Sequence, residues 1–396
     1  MHYHFSDRVQ TLKPSAIREI FKYASAPDVI SLSAGNPAPE AFPAKEIAEI
    51  SSDLLARRPI DALQYSVTEG YGPLREHLSE YMREKHGVGR EFDGVLITSG
   101  AQQVMDLAAK SLVNEGDTVL CEAPSFIGSL NTFRSYRARL RGVPMDSDGM
   151  DMEALEQALK EEKNVRFIYT IPNFQNPTGI TMSFEKRRAL YALAKKYGVL
   201  ILEDNPYGDI RFAGKHIEAV KSLDEDGIVI YAGTFSKVIA PGIRVGYSIA
   251  PKEILQKMIV CKQGEDVHTN IWSQMVCHEF MTRYDYEAHL KHLSEIYRNK
   301  SKVAVDALDR YLSPEVAYLP IEGGLFFWCT LPHGADMADF CRQAVLRKVC
   351  VVPGNAFLTD ENEPCDSFRI NYTTPTDENL VKGIRILGDL AKDTIH

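Results

Sequence analysis

The chain has 396 residues, of which 44% are hydrophobic and 25% charged, values typical of a globular protein and not of disordered, collagen-like or coiled-coil chains. At about 150 residues per domain, this length predicts two or three domains. Acidic residues outnumber basic ones by 54 to 45, and the net charge of −9 argues against a nucleic-acid-binding surface. Small anionic ligands remain compatible with this charge, because they bind at local sites.

Cysteine usage and the N-terminus indicate the compartment. The seven cysteines are scattered without a CxxC pair, which is typical of reduced, mostly buried thiols in a cytoplasmic protein. The first ten residues lack the apolar core of a signal peptide, and no apolar run approaches the ~20 residues of a membrane span. His2, His4 and His268 do not form a metal-ligand pattern. We therefore expect a cytoplasmic protein with no metal site and no membrane partner.

Short apolar runs alternate with helical patterns through the centre of the chain. Residues 1–44 carry one helical pattern around Ile17 and Ile20, followed by the loop AGNPAPEAFP. Predicted strands then follow in chain order at VLIT (95–98), TVLCEAP (118–124), VRFIYTIP (165–172), VLILED (199–204), IVIYAGTF (228–235) and VGYSIA (245–250), with helices between them, one of them at 184–198. This alternation predicts an α/β fold with a mostly parallel central sheet that is buried under helices on both faces.

The C-terminal part has a different pattern. A polar helix over 286–312 leaves the centre, and GGLFFWCTLP and SFRINYTTP are predicted strands. Helical patterns lie at ADMADFCRQAVLRK and DENLVKGIRILGDLA, so we expect a smaller α+β domain here. We predict a large α/β domain at 45–295 and a small domain formed by 1–44 and 296–396, with a ligand cleft between them.

Two predicted strand ends carry polar groups suited to an anion or a ligand. In TSGAQQ (98–103), the amides of Ala101 and Gln102 open a helix and could bind phosphate, although such turns are also common as purely structural features. In PNFQNPTG (172–179), Asn176 precedes Pro177 after a buried strand. This loop either simply starts the next helix or brings a polar amide to the ligand-binding edge of the sheet.

Two further strand ends carry ionisable groups. Asp204 ends an apolar strand in LEDNPYGDIRF, so its carboxylate is expected to be buried and to need a cationic or donor partner, unless it is a helix cap or a structural ion pair. GTFSKVIAPGIRVGY delivers Thr234, Ser236 and Lys237, with Arg244 seven residues later. A solvated surface lysine is the ordinary alternative, but cations beside hydroxyls suit a phosphate dianion and lower the lysine pKa.

Together these segments resemble the fold-type I pyridoxal phosphate (PLP) aminotransferases, and especially the class I/II subgroup that contains 2-aminoadipate and kynurenine aminotransferases. Further matching segments are PSAIRE (14–19), LSAGNPAPEAFP (32–43), LQYSVTEGYGPLRE (63–76), EGGLFFW (322–328) and SFRINYT (367–373). The resemblance implies the PLP-dependent transferase fold of type I. It also implies transfer of an amino group between an α-amino acid and a 2-oxo acid by a homodimer.

The resemblance assigns the chemical steps to four residues. Lys237 would form the internal aldimine with PLP and then move the proton between substrate Cα and cofactor C4′. Asp204 would keep the pyridine nitrogen protonated, so that the ring acts as an electron sink. Asn176 and Tyr207 would donate to the phenolic oxygen of the ring.

The resemblance also implies contacts to the cofactor's phosphate and ring face. The phosphate would be bound by Ala101, Gln102, Thr234, Ser236 and Arg244, together with Tyr65 from a neighbouring subunit. Phe126 would stack on the ring where the family often has tyrosine, a departure that keeps the π face and loses a hydroxyl hydrogen bond.

Three residues are implied to contact substrate in addition to Asn176. Arg369 would hold the α-carboxylate by two points, and Gly35 would let the backbone approach the substrate. Arg18 would meet a distal carboxylate or an aromatic group, the alternative being a solvated arginine in the first turn of a helix.

Two other functions share parts of this pattern. A PLP-dependent C–S β-lyase, or a related carbanion-forming enzyme, would keep Lys237 and Asp204 in the same roles, so the motifs leave it open. A regulator that fuses this fold to a DNA-binding module needs a basic domain before PSAIRE, and residue 14 leaves no room for one. The motifs also leave open which amino acid is the donor, and whether dimers pair into tetramers.

Overall fold

An eight-stranded, mostly parallel sheet forms the centre of the computed structural model, which describes residues 3–10, 28–312, 314 and 316–394. The strands of the chain are β1 (Ile30–Ser31), β2 (Asp93–Thr98), β3 (Thr118–Ala123), β4 (Arg139–Asp146), β5 (Gly149–Met150), β6 (Val165–Thr170), β7 (Leu200–Asp204), β8 (Val229–Thr234), β9 (Gly246–Pro251), β10 (Ala317–Tyr318), β11 (Phe326–Thr330), β12 (Val349–Cys350), β13 (Val352–Pro353) and β14 (Ser367–Asn371). The central sheet has the order β2-β9-β8-β7-β6-β3-β4-β5, in which β9 runs antiparallel to both neighbours. The predicted mostly parallel sheet is confirmed.

Helices pack against both faces of this sheet. The helices are α1 (Asp7–Gln10), α2 (Ala44–Arg57), α3 (Pro59–Leu63), α4 (Gly72–His86), α5 (Ala101–Leu112), α6 (Ile127–Ser135), α7 (Met152–Glu161), α8 (Phe184–Tyr197), α9 (Lys252–Gln263), α10 (Ile271–Arg283), α11 (Tyr286–Tyr311), α12 (Met337–Leu346) and α13 (Asp377–Thr394). Leu155 of α7 and Leu190 of α8 belong to the cluster on one face, and Leu107 of α5 and Leu130 of α6 to the cluster on the other.

The apolar runs of the central strands are continuous because both sides of each strand are buried. In β6, Ile168 belongs to one buried cluster, whereas Phe167 and Tyr169 belong to the other. In β7, Ile201 and Leu202 divide in the same way. Successive side chains of a strand point to opposite faces, so a strand covered on both faces needs apolar residues at every position.

The segment that contains β1 meets the C-terminal part of the chain in a second region. There β10, β11, β14 and β13 form an antiparallel sheet, and β1 pairs in parallel with β12. The amide of Asn371 also donates to the carbonyl of Leu32, which joins the N-terminal segment to β14. The predicted boundary between 295 and 296 falls inside the continuous helix α11, and the division into two domains stays a prediction.

The described residues contain neither a membrane-spanning helix nor a cluster of metal ligands. None of their helices is long and apolar enough to cross a membrane. They also contain no cluster of three or more His, Cys, Asp or Glu side chains able to hold a metal ion.

Helices α11 and α13 cross very closely at a glycine. A Cβ atom built on Gly388 of α13 would overlap the carbonyl oxygen of Tyr311, the last residue of α11. Any side chain at position 388 would therefore force the backbones of the two helices apart.

We expect Gly388→Ala to lower the free energy of unfolding by about 1–3 kcal/mol, because the overlap outweighs the ~1 kcal/mol by which alanine favours a helix. Urea denaturation measures the change. Gly72→Ala is the matched control, because Gly72 also lies in a helix and no atom would lie within 4 Å of its added Cβ. A Gly388→Ala variant as stable as the wild type would contradict this account of the packing.

Candidate active site

A cavity of about 340 Å³ lies at the carboxyl ends of the parallel strands, where segments from the two ends of the chain also meet. All the predicted site residues that the structure describes, except Tyr65, line it. They are Gly35, Ala101, Gln102, Phe126, Asn176, Asp204, Tyr207, Thr234, Ser236, Lys237, Arg244 and Arg369. The carboxyl ends of parallel strands meet at one edge of a sheet, and this explains why five separate loops converge here.

One side of the cavity is built to receive an anion. Helix α5 begins at Ala101 directly after Gly100, so its free amides face the cavity. Thr234 Oγ1 and Ser236 Oγ lie 2.9 Å apart, and Arg244 Nη1 approaches Ser236 Oγ at 3.4 Å. Amides at a helix start, two hydroxyls and a guanidinium are together suited to a phosphate group.

Glycines make room for this arrangement. Gly100 has φ +79°, and a Cβ there would overlap the Arg244 guanidinium. A Cβ on Gly246 would lie 2.7 Å from the amide nitrogen of Ala101. Arg244 Nη2 donates to the carbonyl of Ser99 at 3.0 Å, so the arginine is fixed against the turn that the glycines permit.

Lys237 follows β8 and extends its amine into the cavity. Its Nζ donates to the carbonyl oxygen of Gly35 at 2.9 Å. Burial, together with the positive charges of Arg244 and Arg369, lowers the pKa of Lys237 to about 8, against the opposing effect of Asp204. A sizeable fraction of this amine is therefore uncharged near neutral pH and able to act as a nucleophile or a base.

Asp204 ends β7 and is only 5% exposed. Its Oδ2 accepts a hydrogen bond from the Tyr169 hydroxyl at 2.8 Å, whereas its Oδ1 has no hydrogen-bond partner among the described residues. Burial raises the pKa of Asp204 to about 7, an effect that the Tyr169 bond and Lys237 oppose. A buried carboxylate oxygen without a donor is costly, so the site fits a ligand that brings a protonated nitrogen or another donor to Oδ1.

Arg369 lies opposite, on β14, and is 4% exposed rather than solvated. Its Nη1 donates to Asn176 Oδ1 at 2.8 Å and its Nη2 to the carbonyl of Ser33 at 2.7 Å, while Nε has no partner among the described residues. Its guanidinium lies 4.0 Å from the centre of the Phe326 ring. Burial lowers the pKa of Arg369 to about 10, so the group stays cationic at neutral pH and can receive a carboxylate.

The amide of Asn176 connects this arginine to Tyr207. Asn176 Nδ2 lies 3.4 Å from the Tyr207 hydroxyl oxygen, and both residues are buried. Burial raises the pKa of Tyr207 well above its ordinary value, so its hydroxyl keeps the proton that it can donate. The two side chains thus offer an amide and a hydroxyl to one ligand atom.

Sequence reasoning missed several residues of this site, three of which bear on its chemistry. Ser129 and Phe326 line the cavity, and Tyr169 contacts Asp204 from the neighbouring strand β6. Phe326 lies in EGGLFFW, which was recognised as a motif but given no role. Ser129 lies between two predicted strands, and Tyr169 lies within a predicted strand. A serine or a tyrosine in such a segment carries no distinctive signal.

Of the two other predicted residues, only Tyr65 is described, and it lies away from the cavity. Tyr65 is 81% exposed and lies in a surface groove beside Leu63, His268 and Trp272. Arg18 lies outside the described residues.

Comparisons of the sequence with known proteins gave full-length matches. The profile of the family described as aminotransferase class I and II matches residues 27–387. Aromatic-amino-acid aminotransferase 1 of Thermococcus litoralis is 38% identical over 394 residues, which cover 98% of this chain and 94% of that protein. The 2-aminoadipate transaminase of Thermus thermophilus is 38% identical over 384 residues, which cover 96% and 94%.

Solved structures of aminotransferases superimpose on nearly the whole chain. A Pyrococcus horikoshii kynurenine aminotransferase, crystallised with PMP and kynurenine, superimposes with a TM-score of 0.95 at 35% identity, over 99% of this chain and 98% of that one. The α-aminoadipate aminotransferase of Thermus thermophilus, in complex with N-(5'-phosphopyridoxyl)-L-leucine, superimposes with a TM-score of 0.90 at 36% identity, with the same coverage.

Replacing Asp204 by Asn tests the burial of this carboxyl in cofactor-free protein. Because its folded-state pKa of about 7 exceeds the ordinary value of 3.8, the stability that the protonated carboxyl contributes is lost as the pH rises towards 7. We expect the free energy of unfolding of Asp204→Asn, relative to wild type, to rise by about 2–3 kcal/mol from pH 5 to pH 8. Urea denaturation at both pH values measures this. Asp61→Asn, at an exposed carboxyl, is the control; a difference for Asp204→Asn that is independent of pH would contradict the prediction.

Proposed function

Because this chain belongs to the class I and II aminotransferases, and so uses PLP to move an amino group between an α-amino acid and a 2-oxo acid, we propose that the cavity at the ends of β7 and β8 is its active site. The observation that carries this proposal is that Lys237, Asp204 and the anion-binding turn all line one cavity, and that Asp204 Oδ1 has no hydrogen-bond partner among the described residues. PLP, when bound, supplies an aldehyde that condenses with amines and a ring that accepts electrons from the substrate Cα.

The residues of the cavity fit the two ends of PLP. The amides of Ala101 and Gln102, the hydroxyls of Thr234 and Ser236, and Arg244 would bind its phosphate. Asp204 Oδ1, which lacks a donor among the described residues, would accept from the protonated ring nitrogen and hold the proton there. Phe126 lies at the start of α6 on the cavity wall, where its ring can stack on a flat ligand.

Lys237 is proposed as the residue that moves protons at the reacting carbon. With a pKa lowered to about 8, its amine is a better base at neutral pH than an ordinary lysine. The Lys237 amine would therefore take the proton from the substrate Cα whenever it is not covalently bonded to the cofactor. Tyr207 and Asn176, whose polar groups lie side by side, would hold the ring's phenolic oxygen by donating to it.

Arg369 is proposed to bind the α-carboxylate of the substrate. Its Nη groups are already held by Asn176 and the carbonyl of Ser33, so the guanidinium plane is fixed before substrate arrives. A carboxylate held by two points has one orientation, and the Cα–H bond then has one direction relative to Lys237. Gly35, whose carbonyl contacts Lys237 Nζ, would bring the backbone against the substrate.

The substrate range is proposed from the relatives together with the cavity wall. The matched proteins are named for aromatic amino acids, 2-aminoadipate and kynurenine. Ile127, Ile171 and Phe326 give the cavity an apolar wall that can contact the stem or ring of such side chains. The alternative of a C–S β-lyase is not favoured, because the full-length relatives at this identity are transaminases.

We expect Lys237→Ala to lower transamination more than about a thousandfold, because the proton at Cα loses its acceptor. The assay measures glutamate formed from 2-oxoglutarate with aromatic amino acids and 2-aminoadipate as donors. Lys257→Ala, at an exposed lysine of α9, is the control. Retained activity in Lys237→Ala would refute the assignment, and release of pyruvate and ammonia from cysteine-type substrates without an acceptor would favour the lyase.

The proposal includes a homodimer in which each subunit completes the other's site. Ile60, Leu63, Tyr65 and Val67 are each more than half exposed on one short segment, which is unusual for a monomer surface. The resemblance of this segment to the family implies that Tyr65 reaches the phosphate of the neighbouring subunit. A contact across the dimer would bury the apolar side chains and bring Tyr65 to that phosphate.

We expect Leu63→Asp to convert the dimer to a monomer at micromolar concentration, because it buries an unpaired charge in the contact. Analytical ultracentrifugation measures the mass, and fluorescence titration measures the affinity for PLP, which should fall in the monomer. Leu346→Asp is the control, since Leu346 is 65% exposed on α12 in another part of the molecule. A dimeric Leu63→Asp variant, or a monomer with undiminished PLP affinity, would contradict the shared site.

A cytoplasmic location is also part of the proposal. It is supported by the cysteines, all seven of which are unpaired, five of them buried. Unpaired, buried thiols are typical of proteins that work in a reducing compartment.

A further inference from the structure

At the wall of the cavity, three side chains form a hydrogen-bonded chain that ends on Asp204. Ser129 Oγ on α6 lies 2.9 Å from the Tyr169 hydroxyl oxygen, and this hydroxyl lies 2.8 Å from Asp204 Oδ2. Ser129 and Tyr169 are both fully buried. The Tyr169 ring packs edge-on against Phe133, with the ring centres 5.3 Å apart, so the hydroxyl has little freedom to move.

The direction of the hydrogen bonds in this chain is determined by the number of hydrogens. A tyrosine hydroxyl carries one hydrogen, and a carboxylate can only accept. Tyr169 must therefore donate to Asp204 Oδ2 and accept from Ser129. The serine bond in turn aims the tyrosine hydrogen at Asp204.

Asp204 thereby has two unlike oxygens. Oδ2 is occupied by Tyr169, whereas Oδ1 has no partner among the described residues and belongs to a side chain that lines the cavity. A hydrogen bond donated to a carboxylate stabilises its charged form. Without Tyr169, burial would favour the protonated carboxylic acid more strongly.

We propose that Tyr169 and Ser129 are positioning residues that keep the Asp204 carboxylate ionised and direct Oδ1 at the cofactor's ring nitrogen. This inference rests on the proposed pairing of Asp204 with that nitrogen. The shared proton then stays on the ring nitrogen instead of moving to the carboxylate, and the ring keeps its capacity to accept electrons. Ser129 follows Phe126 by less than one turn of α6, so the same helix start serves the face of the ring and, through Tyr169, its nitrogen.

Other ionisable groups also act on Asp204. Lys237 favours its charged form. Glu122 of β3, also buried, faces it with the opposite effect, but Glu122 accepts from Thr170 and Gln175 and not from Tyr169. Tyr169 donates a hydrogen bond directly to Asp204, and its removal leaves the electrostatic effects of Lys237 and Glu122 in place.

The test uses holoenzyme reconstituted with PLP labelled with 15N at the ring nitrogen, whose chemical shift reports protonation directly. In the wild type we expect the protonated position at neutral pH. In Tyr169→Phe, which removes only the hydroxyl, we expect the resonance to move towards the unprotonated position. The kcat should fall about 10- to 100-fold with little change in KM, the loss expected for one hydrogen bond to a charged group. Ser129→Ala should change both quantities in the same direction by a smaller amount.

Two further variants, Tyr247→Phe and Asp204→Asn, make the outcome decisive. Tyr247→Phe removes another buried tyrosine hydroxyl, one that contacts Met82 Sδ, and should leave the resonance unchanged. Asp204→Asn should move the resonance furthest; if it does not, the proposed role of Asp204 itself is wrong. A resonance that moves in Asp204→Asn and stays at the wild-type position in Tyr169→Phe overturns the positioning role alone. Should Tyr169→Phe not fold, the same criterion applies to Ser129→Ala.

Discussion

The structure depends on the energetically costly burial of Asp204. Among the described residues, only Oδ2 of its two carboxylate oxygens has a hydrogen-bond partner. Folding removes this group from water, and burial raises its pKa to about 7. Such a group persists only where something else in the site repays its desolvation. Tyr169 and Lys237 do so in part, and a cationic ring nitrogen placed at Oδ1 would complete the compensation. Under the proposed pairing of Asp204 with the ring nitrogen, affinity for the cofactor and the means to activate it would both arise from Oδ1, the oxygen without a partner among the described residues.

The opposite charges of the cavity complement this carboxylate. Burial, with a smaller contribution from the positive charges of Arg244 and Arg369, lowers the pKa of Lys237 to about 8, and each arginine is fixed by neighbouring carbonyl or side-chain oxygens. The two guanidiniums suit the two anionic ends of the system, phosphate and substrate carboxylate. The amine between them is thus kept reactive by the same cations that orient its partners.

Much of this arrangement followed from sequence patterns. The strands of the central sheet were predictable because both of their faces are buried, and the polar residues at their carboxyl ends stood out against apolar runs. Strand β4 was not predicted, because it is largely exposed and begins RLRG, with charged side chains in alternation. Tyr169 and Ser129 were missed because their importance lies in a contact across 40 residues, which no local pattern carries. The phosphate contact proposed for Tyr65 lies in a neighbouring subunit, so a single chain does not contain it.

The hydrogen bond between the carbonyl of Ser33 and Arg369 has a consequence for biosynthesis. Ser33, whose carbonyl fixes Arg369, is separated from it by 336 residues, and Asn176, its other anchor, lies midway along the chain. During translation, the anchors emerge long before the arginine. The strands of the central sheet all lie within residues 93–251 and can pair before the C-terminal part is made, whereas closure of the loop from Ser33 to Arg369 must wait until β14 has left the ribosome. A nascent chain therefore fixes Arg369, the residue proposed to bind the substrate carboxylate, after the part proposed to hold the cofactor has taken shape.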